Sequence, residues 1–431
     1  MKANPKIPVS AGKGENCMYI LQALAKLIAI LFFACYFYQF LYIPAAMKLK
    51  AQPHGPTKFH RYAVLICARN EEAVIGDLLQ SLRRQTYPRQ FVQVFVMADN
   101  CTDRTAEIAR AQGAAVYTRA DTSRVGKGYA LEALLEHIRE DCPAGFDGYF
   151  VFDADNVLAP DYIERMNETF SDGYEIVTSY RNSKNYGDNW ITAGYGLWFL
   201  RESQYLNRAR MRVGTSCAVS GTGFLFSRSA LEATDGWPFH LLTEDIEFTV
   251  HHVLRGVTIG YCERAELFDE QPTRFRQSWR QRTRWTKGYL QVFQKYGRAL
   301  LRAAAQGDFA AYDMSMNILP AFILSALGLA VELAILTLSL VHGGGLAAVG
   351  ISLARVFGGM YFTLFVLGAL TTVTEWRHIH TTTAKKIGAV LTFPLFMFTY
   401  LPISLAALFA RAEWKPIYHS VPAAALEGRV A

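Results

Sequence analysis

Apolar residues fall into three blocks along the chain. Residues 18–46 form an apolar, aromatic run broken by Lys26, long enough to cross a bilayer. The run is too long and aromatic for a cleaved leader, and no small-x-small site follows it. From Arg61 the pattern changes to short apolar runs separated by amphipathic stretches. The runs 63–67, 92–97, 114–118, 149–152 and 176–179 predict buried strands, and 71–86, 103–112 and 127–139 predict helices between them. Such alternation predicts a parallel, doubly wound α/β sheet, with ligands at the carboxyl ends of its strands. Residues 271–305 interleave Arg274, Arg276, Arg280, Arg282 and Arg284 with Phe275, Trp279 and Trp285, the pattern of a basic amphipathic helix at a membrane interface.

After Asp313 the chain becomes apolar again. Segments 317–341 and 346–373 are long enough to span, joined at Gly343-Gly344-Gly345. Glu332 and Arg355 each lie about ten residues from that turn, so an antiparallel hairpin brings them to similar depth and predicts an ion pair. The last apolar segment, 387–410, contains Pro394 and Pro402 and either spans or re-enters. The predicted layout is a membrane helix with flanks (1–56), an α/β domain (57–270), interfacial helices (271–312) and a membrane region of two to three spans with a tail (313–431).

Composition narrows the class. With 51% apolar and 19% charged residues, the 431-residue chain reads as a multi-pass integral membrane protein with one sizeable extramembrane domain. The net charge of +7 has no polybasic tail or nucleic-acid motif behind it, which points to membrane lipids or an anionic substrate and away from nucleic acid. Seven scattered cysteines without a CxxC suit a reducing compartment. Lys48, Lys50, Lys58 and Arg61 after the first span lean towards a cytosolic domain in the cell membrane.

The candidate chemistry gathers at the strand ends. Tyr149-Phe150-Val151-Phe152 runs into Asp153-Ala154-Asp155, two carboxylates one residue apart that can face one point. A hard divalent cation shared with substrate phosphates would relieve their repulsion. A solvated turn would equally account for an isolated pair of this kind. Asp99 follows another strand, and Lys127, flanked by glycines, can supply a counter-charge to a diphosphate. Hydrolysis of a glycoside would instead set two carboxylates across a cleft.

Five motifs occur in an order that resembles the membrane-embedded family 2 glycosyltransferases of GT-A fold, the group holding cellulose, chitin, hyaluronan and poly-N-acetylglucosamine synthases. They are Cys67-Ala68-Arg69-Asn70-Glu71-Glu72, Ala98-Asp99-Asn100-Cys101-Thr102-Asp103, Gly126-Lys127-Gly128, Asp153-Ala154-Asp155, and the pair Thr243-Glu244-Asp245 with Gln281-Arg282-Thr283-Arg284-Trp285. The second departs from the family pattern, because Ala98 replaces an aspartate and leaves the donor less constrained. Asp103 reads as a helix cap, and a cap at Asn70 or Thr243 and an interfacial anchor at Trp285 would each account for one motif alone.

The resemblance implies a GT-A nucleotide-diphospho-sugar transferase domain with α-helical transmembrane segments. It implies an inverting hexosyltransferase in which Asp245, with Glu244 beside it, supplies the base. Ala68, Asn70, Glu72, Asp99, Lys127, Asp153, Arg282 and Arg284 would hold a UDP-sugar, and Asp153 and Asp155 would hold Mg²⁺ or Mn²⁺. Trp285 and the Gly221-Thr222-Gly223 loop would meet the acceptor. The expected product is a growing polysaccharide made processively. The alternatives are single transfer to a lipid-linked acceptor and a sugar-nucleotide-binding protein without turnover. A homo-oligomer stays open.

Overall fold

The computed structural model describes residues 11–318, 320–341, 346–410 and 419. After helix α1 (Ala11–Lys48) come β1 (Tyr62–Ala68), α2 (Ile75–Arg83), β2 (Val92–Asp99), α3 (Thr105–Ala111), β3 (Ala115–Arg119), α4 (Lys127–Asp141) and β4 (Gly148–Asp153). The chain continues through β5 (Val157–Leu158), α5 (Tyr162–Ser171), β6 (Ile176–Ser183), α6 (Trp190–Arg201), a π-helical turn at Glu202–Asn207 and α7 (Arg208–Val213). Then follow β7 (Phe224–Ser227), α8 (Arg228–Glu232), α9 (Glu244–Val253), β8 (Ile259–Asp269), α10 (Phe275–Ala305) and α11 (Phe309–Ile318). The apolar helices α12 (Pro320–Val341), α13 (Leu346–Thr374), α14 (Thr383–Phe398) and α15 (Tyr400–Phe409) close the described chain.

The strands form one eight-stranded sheet in the order β3-β2-β1-β4-β7-β6-β8-β5. Alternation along each strand divides its side chains between two covered faces. Leu65, Phe95 and Val151 pack towards Leu131 and Leu134 of α4, while Val64, Val96 and Phe150 pack towards Leu78 and Leu79 of α2. β1, β2, β3 and β4 are parallel, as expected. The sheet as a whole is mixed, which corrects the all-parallel expectation. Strand β7 lies antiparallel to both β4 and β6, and β5 is antiparallel to β8.

Among the described residues, four helical stretches, Asn16–Lys48, Ile323–Val341, Val356–Thr374 and Thr383–Phe409, are long and apolar enough to cross a membrane. A buried charge cluster ties α1 to the domain. Arg210 of α7 donates from Nε and Nη2 to Asp313 of α11 at 2.7 and 2.8 Å. The same carboxylate accepts from the hydroxyls of Tyr38 and Tyr42 at 2.7 and 2.8 Å. With all partners present, the desolvated charges are compensated. After α13, Glu375 accepts from Tyr180, and His378 Nδ1 lies 3.1 Å from Glu266 Oε1, so this helix ends against the sheet. The segment expected at 387–410 is two helices meeting at Thr399, and α14 lies on α6, where a Cβ at Gly194 would sit 2.3 Å from the Phe396 ring. The side chain of Arg355 lies outside the described residues, as does the Gly343–Gly345 turn, so the pairing with Glu332 has no structural counterpart here.

Candidate active site

A cavity of about 850 Å³ opens at the carboxyl ends of β1, β2 and β4 and continues between α1, α13 and α15. Its domain end is polar. Asp153 terminates β4, and its backbone N–H donates to Thr222 Oγ1 at 2.9 Å. Asp155 stands in the turn beyond the strand, buried, with Oδ2 accepting from Glu270 N at 2.8 Å. Both carboxylates line the cavity. Lys127 Nζ donates to Asp153 Oδ1 and, at 2.7 Å, to the Gly221 carbonyl. Burial alone would lower the Lys127 ammonium, but Asp153 and Glu244 outweigh it and hold the pKa above its ordinary value. Asp155 is buried too, yet His419 and Lys184, with the Glu270 N–H, hold its pKa below the usual carboxylate range.

The Lys127 ammonium already rests on Asp153, and both Asp153 and Asp155 line the cavity. That donor set fits a hard divalent ion shared with phosphates. Among the described residues, no group of three His, Cys, Asp or Glu side chains forms a complete protein cage for a metal.

Glu244 and Asp245 open α9 and face the same cavity. Burial first, and Asp245 second, push the Glu244 carboxyl up to about 7. Burial also raises Asp245, against opposing help from the Ile246 N–H, Lys127 and the Gly221 N–H. Both carboxyls are thus held above their ordinary range, which suits proton acceptance at the cavity. Gly221 has φ +76°, and a Cβ there would lie 3.9 Å from Asp245 Oδ2, so this backbone approaches the carboxylate closely. At Gly223 (φ +66°) a Cβ would meet Leu267 at 1.9 Å.

Helix α10 supplies Gln281, Arg284 and Trp285 to the cavity. Trp285 stands edge-on to Tyr195, ring centroids 5.8 Å apart. Burial lowers the Arg284 pKa, and Glu244, Asp153 and Asp245 pull the other way.

Several residues expected at the donor lie elsewhere. Arg282 is fully buried and points away from the cavity: Nη1 donates to Thr399 Oγ1 at 2.7 Å and to Phe396 O at 3.3 Å. Its guanidinium lies 4.4 Å from the Phe396 ring centroid, so it holds the α14–α15 junction. Glu72 is exposed and pairs with Arg104, accepting from its N–H at 3.1 Å. Asn70 has φ 58° and accepts from Thr102 N at 2.8 Å, bracing the loops after β1 and β2 rather than capping a helix. Asp103, expected as a helix cap, stands one residue before the N-cap Arg104 and accepts from Thr105 N at 3.0 Å and from Glu72 N at 3.1 Å, so it too braces the two loops. Thr222 and Gly223 do not line the cavity; Thr222 steadies the β4 turn through Asn156 and the Asp153 N–H. Ala68 and Asp99 do line it, Asp99 being held by Arg119 Nη1 at 2.7 Å.

Other cavity residues were not singled out by sequence reasoning. Glu71, beside the exposed Glu72, faces the cavity and meets His419 Nδ1 at 3.0 Å. Arg181 donates from Nε to Asp269 at 2.7 Å, with its guanidinium 3.7 Å above the Phe199 ring. Adjacent glutamates give no signal of which one turns inward, and His419 follows a stretch without a motif.

Residues 60–288 match the family described as "Glycosyltransferase like family 2". The β-monoglucosyldiacylglycerol synthase of Synechocystis sp. is 27% identical over 367 residues, 83% of this chain and 73% of the relative. The poly-β-1,6-N-acetyl-D-glucosamine synthase of Staphylococcus epidermidis is 26% identical over 234 residues, 53% of this chain and 54% of the relative. This chain therefore spans only about half the length of the second. In fold it is similar to a mannosyltransferase from Pyrobaculum calidifontis in complex with GDP-Man and Mn2+, with a TM-score of 0.60 at 18% identity, over 90% of this chain and 99% of that one.

Proposed function

The chain belongs to glycosyltransferase family 2, and we propose that it transfers a single hexose from a UDP-sugar to a hydroxyl of a membrane lipid, with inversion at the anomeric carbon. The observation that carries the lipid reading is the far half of the cavity. Below the carboxylates its walls are Phe32, Phe40, Ile43, Leu364, Leu367 and Leu401, contributed by α1, α13 and α15. An apolar wall built by membrane helices suits acyl chains.

In the proposed step the acceptor hydroxyl gives its proton to the Asp245 carboxylate as its oxygen bonds to the anomeric carbon. The bond from that carbon to the β-phosphate oxygen breaks, and UDP departs with the electron pair. Arg284 and Lys127 face the departing diphosphate and oppose its charge. A divalent cation held by Asp153 and Asp155 would supply further neutralisation there. Asp99 at the end of β2 would meet the nucleoside, and Trp285 offers a flat face to a sugar ring.

The same reading places the α/β domain and residue 419 on one side of the membrane. Helices α1, α12 and α13 would cross, and α14–α15 would enter and return, since α14 rests on α6 and His419 meets Glu71. Processive polymer synthesis is the second reading, favoured by the match of residues 281–285 to the polysaccharide synthases.

The test uses detergent-purified protein, Mg²⁺ or Mn²⁺, and a panel of UDP-sugars with and without lipid acceptors, following UDP release and product size. Turnover that requires lipid and stops after one sugar is expected. A long glycan made without added lipid would overturn the lipid reading.

A further inference from the structure

Most cations that line or flank the cavity have a carboxylate partner: Lys127 has Asp153, Arg181 has Asp269, and Arg210 has Asp313. Arg201 lines the cavity and, among the described residues, makes no ion pair. Its Nη2 donates to Gln39 Oε1 of α1 at 2.8 Å, its guanidinium lies 5.2 Å from the Trp198 ring centroid, and its Nε is buried without a hydrogen-bond partner. The adjacent Glu202 is the charge that most supports Arg201 against its burial, but Arg181 and Arg210 draw on the same carboxylate more strongly. A desolvated guanidinium that shares its carboxylate with two stronger partners is under-compensated, and a ligand anion would offset that cost.

The position fits a lipid phosphate. The apolar stretch Asn16–Lys48 has 33 residues, about 50 Å of helix at ~1.5 Å per residue, against a hydrocarbon core of ~30 Å. Gln39 therefore lies towards the headgroup end of α1, on the side of the domain. Arg201 ends α6 at the start of the π-helical turn Glu202–Asn207, a register change that often marks a functional wall. Around it, Tyr36, Phe40 and Leu206 line the cavity with apolar surface.

We propose that Arg201, with Gln39, binds the phosphate of an anionic membrane lipid in the membrane half of the cavity. The inference rests on reading that half as a lipid site. The lipid is either the acceptor itself or a neighbour seated beside it, and the chemistry recognised is the same: one phosphate against the planar guanidinium that lines the cavity.

The probe is phosphatidylglycerol added to the full-length protein in phosphate-free alkyl maltoside micelles, with retained lipid read by native mass spectrometry and turnover followed with a UDP-sugar. Wild type is expected to retain phosphatidylglycerol over diacylglycerol. Arg201→Gln should weaken retention at least tenfold and raise the lipid KM likewise, with the UDP-sugar KM unchanged. Arg201→Lys should recover part of the loss, and Gln39→Ala should weaken retention about threefold. Sugar found on phosphatidylglycerol would identify it as the acceptor; sugar on diacylglycerol, stimulated by phosphatidylglycerol, would identify a bound neighbour. Equal retention of both lipids, unaffected by Arg201→Gln in protein that remains monodisperse, would overturn the inference while leaving lipid glycosylation intact. A long glycan with no glycosylated lipid would overturn the proposed function instead, whatever the retention result.

Discussion

The end of β4 and the middle of α10 both carry family motifs, and they deliver them to the cavity differently. Asp153 and Asp155 both reach it, one at the strand terminus and one in the turn. From Gln281-Arg282-Thr283-Arg284-Trp285, the first, fourth and fifth residues reach it and Arg282 does not. Helix geometry supplies the reason. Positions three and four apart share a face, whereas positions two apart lie on opposite sides. Arg282 and Arg284 cannot both point at one diphosphate from an unbroken helix. One arginine is available to chemistry and the other to packing.

The largest test of this contrast lies at the base. Asp245→Asn is expected to cut turnover by roughly 10²–10⁴-fold while UDP binding, measured by calorimetry, stays within a few-fold. Simultaneous loss of UDP binding would give Asp245 a structural part and blur the division. The paired arginine variants come next. Arg284→Ala should lower kcat by about 10²-fold with an unchanged melting temperature. Arg282→Ala should instead cost about 1–3 kcal/mol of stability, by removing the guanidinium that bonds Thr399 Oγ1 and the Phe396 carbonyl and covers the Phe396 ring, and leave kcat within a few-fold. The opposite assignment of these two phenotypes would break the comparison.

A smaller effect should appear in the pH profile. Glu244 is raised from its ordinary 4.5 to about 7, by burial and then by Asp245. The folded protein thus holds a proton that the unfolded chain releases, so the stability this group contributes below about 4.5 is lost as pH rises through about 7. Glu244→Gln should flatten that loss and leave the acid limb of kcat/KM in place, since Asp245 ionises while Glu244 still holds its proton. A shifted acid limb would show that Glu244 is charged when Asp245 ionises. The smallest change is expected from Thr222→Val, which removes the contacts to Asn156 and the Asp153 N–H and should raise the UDP-sugar KM a few-fold.

The nucleotide-binding half of the fold was legible in the chain because its strands are continuous apolar runs with turns at their ends. The expected 92–97 and 149–152 lie within β2 (Val92–Asp99) and β4 (Gly148–Asp153), and the helix expected at 127–139 lies within α4. Other elements carry weaker patterns. Helix α6 is buried on nearly every side and so shows no period. Strand β7 has four residues, and β8 is interrupted by Glu263, Arg264 and Glu266, which hides an antiparallel insertion from any pattern of alternation. At the site, residues on strand ends were identified and the inward choice between Glu71 and Glu72 was not. That choice depends on how α2 begins, and both glutamates suit a first helical turn equally.

The junction of Arg210, Asp313, Tyr38 and Tyr42 has a mechanical meaning. Four side chains from three helices meet in one dry, fully engaged knot, so the α/β domain is bolted to α1 rather than tethered to it. A bolted tool works at one height. Under the proposed lipid transfer, the Asp245 carboxylate would address hydroxyls at a fixed elevation above the bilayer, and a lipid that had gained a sugar would present its next hydroxyl farther out. On this view the stopping point of the reaction is set by a mounting that cannot be raised.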